Sequence, residues 1–319
     1  MANWIINSSN RYFAALVERM KQELLKLPVT QSDETPTQVI YDDRSPGSKS
    51  YMWVHRSGEL FKERPVVVYE YQKGRNHELP LAFYRDYNGV LVTDGLKQYH
   101  LLQDRIPGLT NANCWAHARR DYADAIKVAD KADAAAVKRS VSYQALSRIA
   151  LIYELEGALK ELSPEQRLQE RQENIRPLVE EYFTWVKKQL ADTTVPPKGK
   201  TAEGLKYSVD QEEYLKVFLT DGNVPIDNSA SERSIRTFCV GKKNWMFHDS
   251  VKGAQASAVI YSLSETARLN NLRPYYYFKH LLTELPKLRD EKGNIDSAKL
   301  DHLLPWSTEL PAECRKARR

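Results

Sequence analysis

The sequence predicts an α/β fold: a mixed sheet with helices packed on it and a long helical stretch set into the chain after the sheet has begun. Three observations carry that expectation. β-like runs joined by short Gly-containing turns occupy much of residues 37–71. A further apolar run at 90–93 follows a short helical stretch and ends on an aspartate. From 116 to about 191 the chain becomes rich in Ala, Glu, Lys, Arg, Gln and Leu, with Gly157 its one glycine.

Residues 10–27 carry apolar positions at helical spacing, and Pro28 ends the pattern. Strands are expected at 37–41, 50–55 and 65–71, an antiparallel meander with Ser57-Gly58 as one turn. Residues 76–85 suit a short helix, and 90–93 a buried strand closed by Asp94. In the helical stretch, breaks are expected near Ser163-Pro164 and at Pro177. Residues 192–201 read as a loop, 207–219 as a helix and 220–225 as a turn, after which Asn228 or Ser229 caps a new helix. Residues 253–270 form a helix with a small-residue face, and 275–285 the last helix, ahead of a polar tail ending R-K-A-R-R.

With 319 residues, 42% hydrophobic and 28% charged, the chain has ample material for a core and argues against wholesale disorder. Its 47 basic and 42 acidic residues leave a net charge of +5, compatible with a nucleic-acid partner without demonstrating one. Cys114, Cys239 and Cys314 are far apart, which argues against a disulfide framework and for a reducing cytoplasm. There is no C-x-x-C pair, no signal-peptide pattern at the start and no run of the ~20 apolar residues that span a bilayer. Gly199-Lys200-Thr201 lacks the leading glycine of a phosphate loop, since Thr194 stands there, and the sequon at Asn7 reads as a chance match.

Three acids in three settings are the candidate chemistry: Asp33 in Q-S-D-E-T-P-T-Q-V-I, just ahead of a β-like run, Asp94 at the end of G-V-L-V-T-D-G, and Glu232 in P-I-D-N-S-A-S-E-R-S-I-R at a helix opening. Carboxylates brought together by folding hold divalent cations, and two such cations line up the attacking and leaving oxygens of a phosphodiester. Each has a bland alternative. Aspartates at strand ends cap turns, and Glu34, Asp42 and Asp43 leave the choice within the first acidic patch open. Ser229-x-x-Glu232 has capping-box spacing, and Arg236 is placed for an ordinary i,i+4 pair. Arg233, Arg236, Lys242 and Lys243 add the cations that a phosphate-facing site needs, and Arg119 and Arg120 either touch phosphate or are solvated. Cys114-x-x-His117 has ligand spacing, but two ligands do not make a zinc site, and a buried thiol with a hydrogen-bonded histidine is the simpler reading. Trp245, in G-K-K-N-W-M-F after the helix, would stack on a nucleotide or, like Trp115, pack in the core.

The strings S-D-E-T-P-T-Q-V, L-V-T-D-G, C-W-A-H-A-R-R, P-I-D-N-S-A-S-E-R-S-I-R, V-G-K-K-N-W-M-F and A-S-A-V-I-Y-S-L-S-E-T-A, in that order, resemble bacterial transposases of the insertion-sequence-66 family. L-L-P-W-S-T-E-L-P-A-E-C resembles that family's C-terminal element, and the match runs from about Trp4 to Cys314. The resemblance implies an RNase H-like core with a D-D-E triad of Asp33, Asp94 and Glu232, and a Cys114/His117 pair that belongs to the core. It implies an N-terminal helix and linker at 1–30, core parts at 31–118 and 220–285, a helical insertion at 119–219 and a C-terminal element at 286–319. Two departures stand out. Asn228-Ser229 replaces a common Asn-Asn, and the match begins partway into the family pattern, without the coiled-coil and cysteine-bearing DNA-binding parts that usually precede it. An N-terminally truncated chain is expected on that ground.

The expected function is metal-dependent cleavage and strand transfer of DNA. Two Mg²⁺ or Mn²⁺ ions would sit on the triad, with Arg119, Arg120, Arg233, Arg236, Lys242, Lys243 and Trp245 on DNA. Expected partners are transposon ends and target DNA, with a homo-oligomer or accessory transposition proteins and no membrane. The expected location is the bacterial cytoplasm, at the nucleoid. The rival expectations are an inactive or weakly DNA-binding remnant and a general RNase H-like nuclease without joining.

Overall fold

The structure, a computed structural model, describes residues 2–45, 47–128, 134–193 and 195–317. Thr194 and the last two residues of the basic tail lie outside them. The chain is mixed α/β, as the sequence predicts and as an RNase H-like core with a helical insertion requires. Among the described residues, five strands make one sheet and two short strands a second.

In chain order, α1 (Ala2–Ser8) runs through a π-helical turn at Ser9–Phe13 into α2 (Ala14–Leu24). The helical start at Ala2 rather than residue 10 went unpredicted because α1 buries nothing and so carries no apolar stripe. β1 (Val29–Thr37), β2 (Val39–Tyr41), β3 (Ser50–Ser57) and β4 (Val67–Gln72) precede α3 (Glu78–Phe83), β5 (Gly89–Thr93), α4 (Lys97–Arg105) and β6 (Leu109–Asn113). The helical stretch holds α5 (Trp115–Val128), α6 (Ala134–Arg139), α7 (Val141–Ala158), α8 (Pro164–Glu170), α9 (Arg176–Ala191), α10 (Lys200–Asp210) and α11 (Glu212–Leu215). α12 (Ser229–Trp245), β7 (His248–Ser250), α13 (Val251–Leu269) and α14 (Pro274–Glu284) follow.

The break at Ser163-Pro164 is present and has a full capping box, with Ser163 taking the Gln166 amide and Gln166 reaching back. Pro177 does not break the helix. A π-helical turn at Arg171–Ile175 precedes it and places the proline in the first turn of α9, where its missing N–H has no partner to lose.

The chain divides into two compact units, residues 1–89, 104–109 and 230–319, and residues 90–103 and 110–229. In the first, β3 lies between β1 and β4, antiparallel to both, with Asp33 opposite Val54 and Val54 opposite Tyr69. α12 and α13 cover this sheet. Met52, Val54, Val67, Tyr69 and Tyr71 meet Phe238, Ala254 and Ala258 in a buried core, with Tyr261 and Trp245 packed against it. The small-residue face of α13 is therefore used for close packing, as its sequence suggests. Ser262 and Thr266 take the amide hydrogens of Tyr69 and Val67 at 2.8 and 3.0 Å, filling the outer ladder positions of β4.

In the second unit, β6 was not predicted, since L-T-N-A-N has the polar composition of a loop. Its asparagines are nonetheless buried and bonded to one another and to their neighbours. Asn111 donates to Asn113 at 2.9 Å, Thr93 donates to Asn111 at 3.2 Å and Asn113 donates to Gln211 at 2.7 Å. Tyr182 and Phe183 of α9 pack on the fully buried Trp115 of α5.

Candidate active site

Asp33 is not ahead of a strand but in the middle of β1. The stretch Thr30-Gln31-Ser32 looks like a turn because it is polar, yet all three residues are buried. Gln31 accepts the amide of Glu59 at 2.8 Å, and the Ser32 hydroxyl lies 3.0 Å from the ring of His55. Those partners are distant in sequence, so the strand is stabilised by contacts that local propensity does not reveal. Within the acidic patch Glu34 is buried against Arg75 and Asp42 against Arg44, Asp33 is half-exposed and Asp43 exposed. The Arg44 guanidinium holds the Asp42 carboxyl below its usual range.

β1 and α12 meet inside the first unit. The Thr35 hydroxyl lies 3.6 Å from Cys239 Sγ, and Lys242 Nζ donates to the carbonyl of Pro36 at 2.6 Å. Side chains alternate along a strand, so Asp33 shares the face of β1 from which Thr35 meets the helix. Glu232 sits in the first turns of that same helix. Arg56, on β3, anchors the helix start by donating to the Ala230 carbonyl at 2.9 Å and to Ser234 Oγ at 3.2 Å. Burial pushes its pKa down to about 10, with Glu59 opposing. α12 begins at Ser229, so Asn228 holds the cap position and Glu232 is the fourth helical residue, one past the place a capping box needs.

Asp94 follows β5 in the second unit, half-exposed. Its carboxylate accepts the amide of Leu96 at 3.1 Å, and its carbonyl accepts the Tyr207 hydroxyl at 3.2 Å. Gly95 has φ +85°, a left-handed turn that a side chain would strain.

Cys114 joins this strand end to the segment that leads into α12. Its amide donates to the carbonyl of Thr93 at 3.0 Å, and its Sγ accepts the amide of Asn228 at 3.1 Å. Trp115 adds a bond from its amide to the Ile226 carbonyl at 3.2 Å. Burial pushes the Cys114 thiol up to about 12, so it is an inert acceptor. His117 is half-buried. Burial and then Arg120 hold its pKa down to about 4, against the opposing pull of Asp227.

The helical stretch grips the same segment. Arg171, fully buried and paired with Glu156, donates to the carbonyls of Phe218, Asp221 and Val224 at 2.7, 2.8 and 2.9 Å. Arg167 donates to the carbonyl of Gly222 at 2.6 Å. The Tyr153 hydroxyl donates to Asp227 Oδ2 at 3.1 Å, and Asp227 Oδ1 accepts the amide of Ser229 at 2.9 Å. Sequence reasoning did not single out Arg171, Tyr153 or Asp227. Asp227 lies inside a quoted motif, but nothing local marks the other two.

The predicted DNA-contacting residues divide into two groups. Arg119 and Arg120 are exposed on α5, and Arg233, Arg236 and Lys243 are exposed on α12, Arg233 beside Glu59. Lys242 is tied to Pro36. Trp245 lies within α12 rather than after it and packs on His248 and Phe238 with ring centroids 4.3 and 5.4 Å away. Lys200 of the Gly199-Lys200-Thr201 string is paired with Asp121 and Glu203.

Asp33, Asp94 and Glu232 are each half-exposed carboxylates, oxygen donors of the kind that hard divalent cations take. Among the described residues, no three His, Cys, Asp or Glu side chains are already gathered as a ligand group. No helix among them is long and apolar enough to cross a membrane.

Comparison with known proteins gives a consistent result. Residues 1–256 match the profile of the Transposase IS66 family, and residues 262–306 that of the IS66 C-terminal element. Similar curated sequences include the uncharacterized proteins y4hP and y4jD of Sinorhizobium fredii (strain NBRC 101917 / NGR234), each 28% identical across 92% of this chain. The uncharacterized protein y4qI of the same organism is 26% identical across 86%. These alignments cover 51%, 56% and 50% of the three relatives, so the chain spans about half their length.

Proposed function

The chain belongs to the IS66 transposase family, and from that premise we propose that it is the catalytic region of a DNA transposase that cleaves and joins DNA strands through Asp33, Asp94 and Glu232. The observation that carries this reading is the double role of Cys114, which ties the strand end bearing Asp94 to the residue before the helix bearing Glu232. Such a tie is what a site needs when its acids come from distant parts of a sequence, because misplacement by about 1 Å costs a site on the order of a hundredfold in rate.

Asp33, Asp94 and Glu232 would hold Mg²⁺ or Mn²⁺, which when bound supplies activation of an attacking oxygen and stabilisation of a leaving oxygen on a phosphodiester. Arg56 fixes the axial position of α12 by capturing the Ala230 carbonyl, and the Asp94 carboxylate is aimed by its own turn, Leu96 N–H to Oδ1. Arg119, Arg120, Arg233, Arg236 and Lys243 are the exposed cations for the phosphate backbone, a role that positions DNA without reading its sequence.

The test is Asp94→Asn, which keeps size and turn geometry while removing the charge. Mg²⁺-dependent strand cleavage should vanish with the melting temperature unchanged. Cleavage that persists in the variant, after a contaminating nuclease is excluded, removes Asp94 from the mechanism. Supplying cut element ends with a target duplex separates joining from hydrolysis. Mn²⁺ titration separates a competent site from a remnant that has lost it.

A further inference from the structure

We propose that the helical insertion sets the position of Glu232 through a phenol–carboxylate pair, Tyr153 on α7 and Asp227 ahead of α12, so that both act as positioning residues. The proposal rests on the transposase reading for the role of Glu232 and on the geometry of the second unit for the pair itself. The Tyr153 hydroxyl donates to Asp227 Oδ2 at 3.1 Å, and Asp227 Oδ1 accepts the amide of Ser229 at 2.9 Å. Ser229 is the first residue of α12. Glu232 is three positions on, within one turn, so a shift or rotation of the helix start passes directly to its carboxylate.

The other grips on this segment act earlier along it. Arg171 and Arg167 hold carbonyls between Phe218 and Val224, and Trp115 holds Ile226. Cys114 holds the amide of Asn228. Tyr153 and Asp227 act at the last joint before the helix, and a carboxylate there also complements the positive end of the helix dipole. Burial raises the Tyr153 pKa above its ordinary value, so the phenol stays protonated and remains a donor. The insertion is thereby more than a spacer between the second acid and the third, since one of its side chains holds the carboxylate that receives the first amide of α12.

Tyr153→Phe deletes one oxygen and keeps the ring. Tyr182→Phe is the matched control. It deletes a second phenol hydroxyl of the insertion, a buried one bonded to Ser208 Oγ at 2.8 Å, and leaves the segment before α12 untouched. Two readouts are taken on the whole chain: hydrogen exchange at the Ser229 amide, and kcat and KM for Mg²⁺-dependent cleavage. The expected result for Tyr153→Phe is a roughly tenfold loss of Ser229 protection and a roughly tenfold fall in kcat with KM for DNA unchanged, while Tyr182→Phe moves neither. Asp227→Asn, which keeps an acceptor oxygen for the Ser229 amide, should retain more activity than Asp227→Ala. Unchanged Ser229 protection in Tyr153→Phe, or equal loss of kcat in the two tyrosine variants, overturns the proposal. Absence of cleavage in the unaltered chain would instead defeat the transposase reading, and Ser229 exchange would then decide on the pair by itself.

Discussion

Cys114 Sγ accepts the backbone N–H of Asn228 at 3.1 Å, across 114 positions of sequence. A cysteine three positions before a histidine invites a metal reading, but this thiol is buried and committed to a backbone amide. Replacing it with alanine leaves that amide buried without its acceptor. Cys114→Ala should cost about 1–3 kcal/mol in urea unfolding, and Cys114→Ser, which restores an acceptor, should recover part of the loss. The raised thiol pKa also predicts that iodoacetamide at pH 8 labels Cys239, which is half-buried, well before Cys114 in the native chain.

Arg171 and Glu156 form a buried ion pair whose cation also serves three carbonyls. Removing the anion strands a guanidinium inside the protein. Glu156→Ala is expected to cost about 3–5 kcal/mol, seen as a lower urea midpoint with an unchanged slope. An unaffected midpoint would mean that the carbonyls alone satisfy the arginine.

Two glycines should respond in opposite directions. A Cβ on Gly222 would lie 1.8 Å from the carbonyl oxygen of Pro164, a backbone atom that cannot swing away. Gly222→Ala should destabilise by about 1–3 kcal/mol and loosen the segment that leads to α12. At Gly157, in the last turn of α7, a Cβ meets nothing within 4 Å. Gly157→Ala should stabilise by about 0.4–1 kcal/mol through the unfolded chain, and thermal melts of the two variants check both signs.

Acid sensitivity follows from the histidines. Burial lowers His117 and His248 to about 4, with Arg120 adding to the effect at the first and Lys242 at the second. Between about pH 6.5, the ordinary histidine value, and pH 4 the unfolded chain binds protons that the folded chain refuses. Stability contributed by the neutral rings is therefore complete above that window and falls as pH drops through it. Urea midpoints at pH 7, 6 and 5 should decline, and His117→Asn with His248→Asn should flatten the decline. An identical slope in the double variant would assign the acid sensitivity to other groups.

The sequence was legible where one local signal decided the outcome. Ser163-Pro164 carries its own cap, β5 is an uninterrupted apolar run, and the small residues of α13 announce close packing. It was illegible where polar residues are buried by pairing with distant ones. Thr30-Gln31-Ser32 in β1 and Asn111 and Asn113 in β6 resemble turns until their tertiary partners are known, which is why Asp33 was expected ahead of a strand instead of within it. The proposed triad of Asp33, Asp94 and Glu232 rests on motif resemblance rather than on local chemistry. Within the acidic patch, the pairing of Glu34 with Arg75 and of Asp42 with Arg44 has no counterpart in the local sequence. Tyr153 gave no sequence signal, because its partner Asp227 lies 74 positions away and nothing local marks the pair.

The hydroxyls of Ser262 and Thr266 have a consequence beyond packing. An uncovered border strand is a template on which a foreign β-segment can dock, the first step of domain swapping and of fibril growth. Here Val67 and Tyr69 have already spent their outward amides on a helix of the same chain, so at those two positions β4 offers an intruder no amide to pair with.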